Sequence, residues 1–240
     1  MAETPGQDPR RFRLHDFLPA LKAGVLVGGQ AVNLWAEVYR ARIPERLEPF
    51  APFVSKDCDL HFRTRHEPEV LAREVGWRFV ATEGVGQILG RLQHESGAII
   101  EILAGIRTAI ADQIEREAVD GALAGQVVRV LNPASMLREK VSLAVEANQT
   151  GRQDAKHVEI LAPCCRCFFE DLAAAVTARE LTGRDAIFYL NIALEVLRSR
   201  NARHFDAIWG TQWTNVIPWT ALTATNDPAL GRFARHQSPS

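Results

Sequence analysis

Val25-Leu26-Val27-Gly28-Gly29-Gln30 reads as a short buried strand that stops in a tight turn and passes directly into a helix. From Gln30 to Arg42 the spacing is helical, with Val32, Trp35, Ala36 and Tyr39 on one face. Upstream, Phe17 to Lys22 predicts a short helix leading into Gly24. Downstream, Pro44, Pro49 and Pro52 punctuate a connecting segment, and Cys58 to Phe62 predicts the next strand. Pro68 to Val75 follows as a helix with Leu71 and Val75 inward. Arg78 to Thr82, Gln87 to Gln93 and Ala98 to Leu103 are β-like runs with Gly84, Gly86 and Gly97 near the turns, and Val127 to Leu131 looks like a last strand. Asn132-Pro133 is a helix-start signal, with Asn as cap and Pro in the first turn. That helix is expected from Ala134 to Ala147, with others from Asp154 to Glu180 and from Asp185 to Arg200. The fold expected is α/β (α+β): a small mixed, twisted sheet flanked by helices, then a C-terminal helical region. The corresponding units are a sheet-containing domain over 13–131, a helical region over 132–225, and flexible ends at 1–12 and 226–240.

A chain of 240 residues is long enough for a real core. Its formal net charge of -1 excludes a chain that is electrostatic glue for nucleic acid or membrane as a whole, while leaving room for a local basic groove. The sequence has no unbroken apolar run of transmembrane length, and its start lacks the apolar stretch of a secretory signal, so no membrane partner and a cytoplasmic location are expected. Cys164, Cys165 and Cys167 crowd one short stretch, a poor disulfide framework that suits a reduced compartment.

Three features carry chemistry. The Gly28-Gly29 turn lets a ligand approach backbone closely, and the free N–H groups of the following helix favour an anion such as phosphate; plain turn chemistry is the competing reading. In Ser55-Lys56-Asp57-Cys58-Asp59-Leu60, alternation on a strand puts Asp57 and Asp59 on one face and Cys58 and Leu60 on the other. Like charges side by side need a cation or solvent to screen them. A hard ion such as Mg²⁺ takes carboxylate oxygens together with substrate phosphates, whereas a solvated strand edge would need no ion. Glu101 lies inside the apolar run Ala98 to Leu103. An acid there is paired with an arginine, exposed, or the third carboxylate beside the aspartates, as a base or a metal ligand.

A Gly-Gly turn after a strand, a helix, Ser-x-Asp-x-Asp on the next strand and an acid on a later strand together resemble the nucleotidyltransferase superfamily. The likeness is closest to bacterial proteins of the AbiEii-like, abortive-infection toxin type and their relatives. It covers roughly residues 20 to 160. It implies metal-dependent transfer of a nucleotidyl group from a nucleoside triphosphate to RNA (tRNA among the candidates), a protein or a small molecule. A non-catalytic nucleotide, RNA or partner binder on the same fold is the alternative, and a cognate antitoxin protein is an expected partner. By position, the resemblance makes Asp57, Asp59 and Glu101 the catalytic residues and the ligands of Mg²⁺ or Mn²⁺. It puts Gly28, Gly29, Gln30, Ser55 and Lys140 against the nucleotide. Gln30 stands where many relatives have serine, Glu101 where aspartate is frequent, and the Gly29–Asp57 connection is longer than in compact members. Lys140, with Asp154 loosely matching a later element, reads on sequence as slightly more at home on a solvated helix face, and Lys156 more clearly so.

Other features read as structural. The cysteines with His157 lack the ligand spacing of a zinc site and suit core packing. His204 with Phe205, Trp209, Trp213 and Trp219 suits a late hydrophobic staple over a ligand platform. Arg198, Arg200 and Arg203 suit a helix C-terminus as well as RNA phosphates.

Overall fold

A computed structural model of the chain describes residues 12–83, 86–211 and 213–238. The expected turn at Gly84 and the first eleven residues of the expected N-terminal end lie outside these. Chain order is a 3-10 turn Leu14–Ala20, β1 Val25–Val27, α1 Gly28–Tyr39, α2 Pro44–Leu47, β2 Cys58–His61, α3 His66–Val75, β3 Arg78–Ala81, β4 Ile88–Gln93 and β5 Ile99–Leu103. Then come α4 Ala111–Glu117, β6 Ala118–Leu123, β7 Gln126–Leu131, α5 Pro133–Glu146, α6 Asp154–Ala178, α7 Gly183–Arg198, α8 Arg200–Trp209, α9 Trp219–Thr223 and α10 Pro228–Gln237. The strands form one 7-stranded sheet in the order β3-β4-β5-β2-β1-β7-β6. It is mixed: β1 runs antiparallel to β2 and parallel to β7, while β2 is parallel to β5. The α/β expectation of a mixed sheet flanked by helices therefore holds.

Strand β1 is short and wholly apolar because both of its faces are covered; Val25, Leu26 and Val27 are all fully buried. Register places Leu26 beside Leu60 and Val130, and Leu60 beside Ile102, so these side chains share one face. Helix α1 packs on that face. A Cβ at Gly121 on β6 would come 3.0 Å from Leu34 of α1 and 3.3 Å from Val130, so glycine there is what lets the helix lie close. The Trp35 indole N–H donates to the Leu131 carbonyl at 2.9 Å, pinning α1 to the end of β7. By alternation the opposite face carries Val27, Asp59 and Glu101.

Several elements depart from the sequence reading, β6, α4 and α10 among them. Strand β6 and helix α4 were not expected, because Asp120 and Gly121 interrupt the alternation that marks a strand. β6 closes a hairpin onto β7 through Ala124 and Gly125, whose φ values of 50° and 79° are the left-handed pair that a two-residue hairpin turn requires. Alanine is a poor residue for that conformation, so the sequence signal for the turn is weak. Residues 226–238, expected to be loose, instead hold α10. The Asp227 carboxylate caps it, accepting from the N–H of Ala229 at 2.9 Å and of Leu230 at 2.8 Å, and Leu230 and Ala234 are buried. A Cβ at Gly183 would overlap the same Asp227 carboxylate, which shows how closely α10 is docked to the start of α7. Arg198 donates to Gln237 at 2.5 Å, so this arginine serves the docking. Phe205 is fully buried and stacks on Trp209 with centroids 4.4 Å apart, the staple expected of these aromatics. The four cysteines are unpaired and buried. No described helix is long and apolar enough to cross a membrane.

Helix α5 is seated on the sheet by a buried polar knot. Asn132 caps it, accepting from Ala134 and Ser135 N–H at 3.0 Å each, and its amide donates to the Glu117 carbonyl at 2.8 Å. The Glu117 carboxylate, 2 % exposed, accepts from Ser135 Oγ and Arg138 Nη2 at 2.7 Å each. Removing one partner of a buried pair strands the other's charge. Glu117→Ala is therefore expected to lower the unfolding free energy by about 3 kcal/mol in urea titrations; an unchanged midpoint would show the knot contributes nothing.

Candidate functional site

The site begins at the corner between β1 and α1. Gly28 has φ +66°, a conformation open to glycine, and a Cβ there would overlap Asp59 Oδ2. The Asp59 carboxylate thus rests directly on the backbone of the turn. Val27, at the cap position, supplies no side-chain hydrogen bond, and the first turn of α1 contains no acid. The positive end of a twelve-residue helix is therefore left without a negative side chain of its own. At Gly29 the space is closed by Ser55 Oγ and His157 Cε1, which would lie 3.1 and 3.4 Å from a Cβ. Gly28, Gly29, Ser55 and Asp59 are so brought together. Gln30 is not among them: its side chain is fully buried, donating to the Phe12 carbonyl at 3.1 Å and accepting from Asn33 at 2.9 Å. The expectation that its side chain faces a nucleotide is corrected, since the first turn of α1 rotates it inward.

Asp59 and Glu101 lie at neighbouring positions of the sheet face opposite α1. Asp59 stands beside Val27 on one side and Glu101 on the other, in register, and Asp57 lies just before β2 begins, near enough for its charge to act on Asp59. The Ser55 hydroxyl leans on Asp57 Oδ1 at 3.5 Å. Glu101 is engaged: its Oε1 accepts from Arg91 Nε at 3.0 Å and Nη2 at 2.7 Å, from the adjacent strand β4. Among the described residues no three His, Cys, Asp or Glu side chains are grouped as a metal cluster. The expected three-acid ligand set is therefore not preassembled; the aspartates stand as a pair and Glu101 is held by an arginine. Burial, and next the charge of Asp57, push the Asp59 carboxyl up to about 7, with Glu101 adding to the effect and Lys140 and Arg152 opposing it. A divalent cation fits such a pair, because it removes the repulsion and because Mg²⁺ commonly takes one or two carboxylates with phosphates completing its shell.

Lys140 is 6 % exposed, so the solvated-face reading of this residue is corrected. Its Nζ lies 3.0 Å from Asp154 Oδ1, and Arg152 Nε holds the other oxygen of that carboxylate at 2.5 Å. Burial alone would raise the Asp154 carboxyl, but Lys140 and Arg152 outweigh it and hold it below the usual range. Both cations also act on Asp59, which fixes them around the same spot. A cleft of about 430 Å³ is lined by Gly28, Asp59, Lys140 and Arg152 together with Ile106 and Leu143. Larger clefts of about 530 Å³ at Arg42 and Arg166 and about 660 Å³ at His61 and Arg129 lie elsewhere and contain neither the glycine corner nor the aspartates. Sequence reasoning missed Arg152 and His157 as neighbours of this site; the one signal for the former is its place two residues before Asp154.

No protein-family model matches the chain, and no curated protein matches it. Among solved structures it is similar to an antigenic nucleotidyltransferase-like protein from Paracoccidioides brasiliensis, at 16 % identity and a TM-score of 0.37, over 62 % of this chain and 72 % of that one. The geometry of the site stands apart from that likeness.

The raised Asp59 carboxyl has a direct consequence for stability. Its folded value lies above the unfolded value near 3.8, so the folded state holds the proton more tightly, and the associated stability falls as pH rises from about 4 through about 7. In metal-free protein Asp59→Asn is expected to flatten that fall and to raise Tm at alkaline pH by roughly 3 °C, as thermal unfolding across the window would show. Parallel curves for the two proteins would refute the shift. Gly28→Ala, by contrast, is expected to cost at least about 2 kcal/mol in chemical denaturation, because it combines strain with overlap on Asp59.

Proposed function

We propose that the chain is a metal-dependent nucleotidyltransferase, moving a nucleotidyl group from a nucleoside triphosphate to an acceptor hydroxyl or phosphate. One observation carries the reading: Asp59, with the charge of Asp57 acting on it, lies against a glycine corner at an uncapped helix start, with a buried lysine facing the same cleft. On this reading the α1 N–H groups at Gly28 and Gly29 bind the polyphosphate chain. Asp57 and Asp59 would hold Mg²⁺ or Mn²⁺, which when bound supplies charge neutralisation of the phosphates and aligns them for in-line displacement. Lys140, pinned by Asp154, supplies a positive charge that needs no rearrangement when the nucleotide enters, and Arg152 extends it. The acceptor oxygen attacks the α-phosphorus, the bond to the bridging oxygen breaks, and pyrophosphate leaves with that electron pair. Glu101 stands one strand from Asp59 and takes the acceptor's proton when its hold on Arg91 is exchanged. The acceptor is an RNA such as tRNA, a protein or a small molecule. A cytoplasmic setting and a cognate antitoxin partner belong to the same proposal.

A second reading, a nucleotide or RNA binder without turnover, is favoured by one observation: Glu101 is already paired to Arg91. The two readings separate on incubation of the protein with each labelled triphosphate, Mg²⁺ and bulk cellular RNA. The transferase reading expects incorporation that Asp57→Asn/Asp59→Asn reduces at least ~10³-fold, a scale typical for loss of the main charge-stabilising groups, and that chelation abolishes. Lys140→Ala is expected to raise KM for the triphosphate. Metal-independent nucleotide affinity with no labelled product would establish the binder instead.

A further inference from the structure

His157 sits in the first turn of α6, 8 % exposed, with its Nδ1 buried and without a hydrogen-bond partner among the described residues. Buried polar atoms in native proteins are nearly always satisfied, so an orphan beside a ligand site marks a place for a ligand atom. The ring's position identifies which ligand. Its Cε1 comes 3.4 Å from where a Cβ on Gly29 would be, and Ser55 Oγ closes on the same point at 3.1 Å. Three segments distant in the chain, the start of α1, the approach to β2 and the start of α6, thus meet at the uncapped helix terminus. The imidazole is neutral there, held down to about 3 by burial and then by the charge of Lys140, with Lys156 and Arg152 acting the same way. Surrounding cations disfavour a metal ion on this ring and favour an anion, to which a neutral imidazole offers an N–H donor.

We propose that His157 is a phosphate-binding residue: its Nδ1–H donates to a non-bridging oxygen of the nucleotide's polyphosphate chain where that chain lies over Gly28-Gly29, beside Ser55. This rests on the nucleotidyl-transfer reading and adds to it a contact made by the helical region. Asp154, three residues before His157 in the first turn of α6, is bonded to Lys140 of α5, which ties this helix start to α5.

The test is calorimetric titration with inorganic tripolyphosphate and Mg²⁺ of the full-length protein, His157→Phe and His157→Asn, with thermal unfolding to monitor the fold. His157→Phe keeps the ring's bulk without its donor and is expected to weaken binding roughly 10- to 100-fold, the scale of one hydrogen bond to a charged group. His157→Asn, which restores a donor near the Nδ1 position, is expected to recover most of that loss. If His157→Phe binds within twofold of wild type, His157 only packs and this inference falls while the transferase reading stands. If the wild type itself binds no tripolyphosphate, both fall. Should His157→Phe not fold, imidazole ¹⁵N spectra of the wild type decide: a shift of the His157 Nδ1 resonance on adding tripolyphosphate supports the contact, and an unmoved resonance overturns it.

Discussion

Repulsion between two neighbouring carboxylates is the constraint around which the site is arranged. Asp57 lies two residues before Asp59 and acts on it by charge, and Asp59 is pressed onto the backbone at Gly28 with no room for a side chain between them. An arrangement that raises a carboxyl to about 7 works against the stability of the metal-free fold at neutral pH. It persists because β2 is locked in register between β1 and β5, with Cys58 and Leu60 buried on the other face. Such stored electrostatic cost is characteristic of places where a ligand is expected to bring the compensating charge.

The compensation the protein itself supplies comes from the helical region. Lys140 and Arg152 oppose the rise in Asp59, but both are also claimed by Asp154, so neither is free to collapse onto the aspartates as a simple salt bridge. The result is a cleft with separated charges: an acidic wall on the sheet and a basic wall on α5 and the start of α6. Helix α5 can hold its side of the cleft because the Glu117–Ser135–Arg138 knot and the Asn132 cap tie its first turns to the end of α4.

Much of this was legible in local pattern. A three-residue apolar run before Gly28-Gly29, helical spacing after it, and alternation through Asp57 and Asp59 each depend only on neighbours along the chain, where strand and helix periods differ clearly. What was illegible depends on distant partners. Leu137-Arg138-Glu139-Lys140 looks like a charged surface turn, yet Arg138 is claimed by Glu117, Glu139 by the N–H of Thr108 and Lys140 by Asp154. Gln30 looks available beside the glycines, yet the helix turn points it at Phe12 and Asn33. Asp227 looks like part of a polar tail, yet it caps a helix docked on Gly183.

By itself the sequence determined the strand–corner–helix–strand order, since backbone alternation and the freedom of glycine act within a few residues. The tertiary structure alone decided that Glu101 aligns with Asp59 while gripping Arg91, that Lys140 is buried against Asp154, and that His157 comes to rest over Gly29. Those outcomes depend on strand register and helix packing between segments tens of residues apart, and no local property of either segment specifies which partner the other will meet.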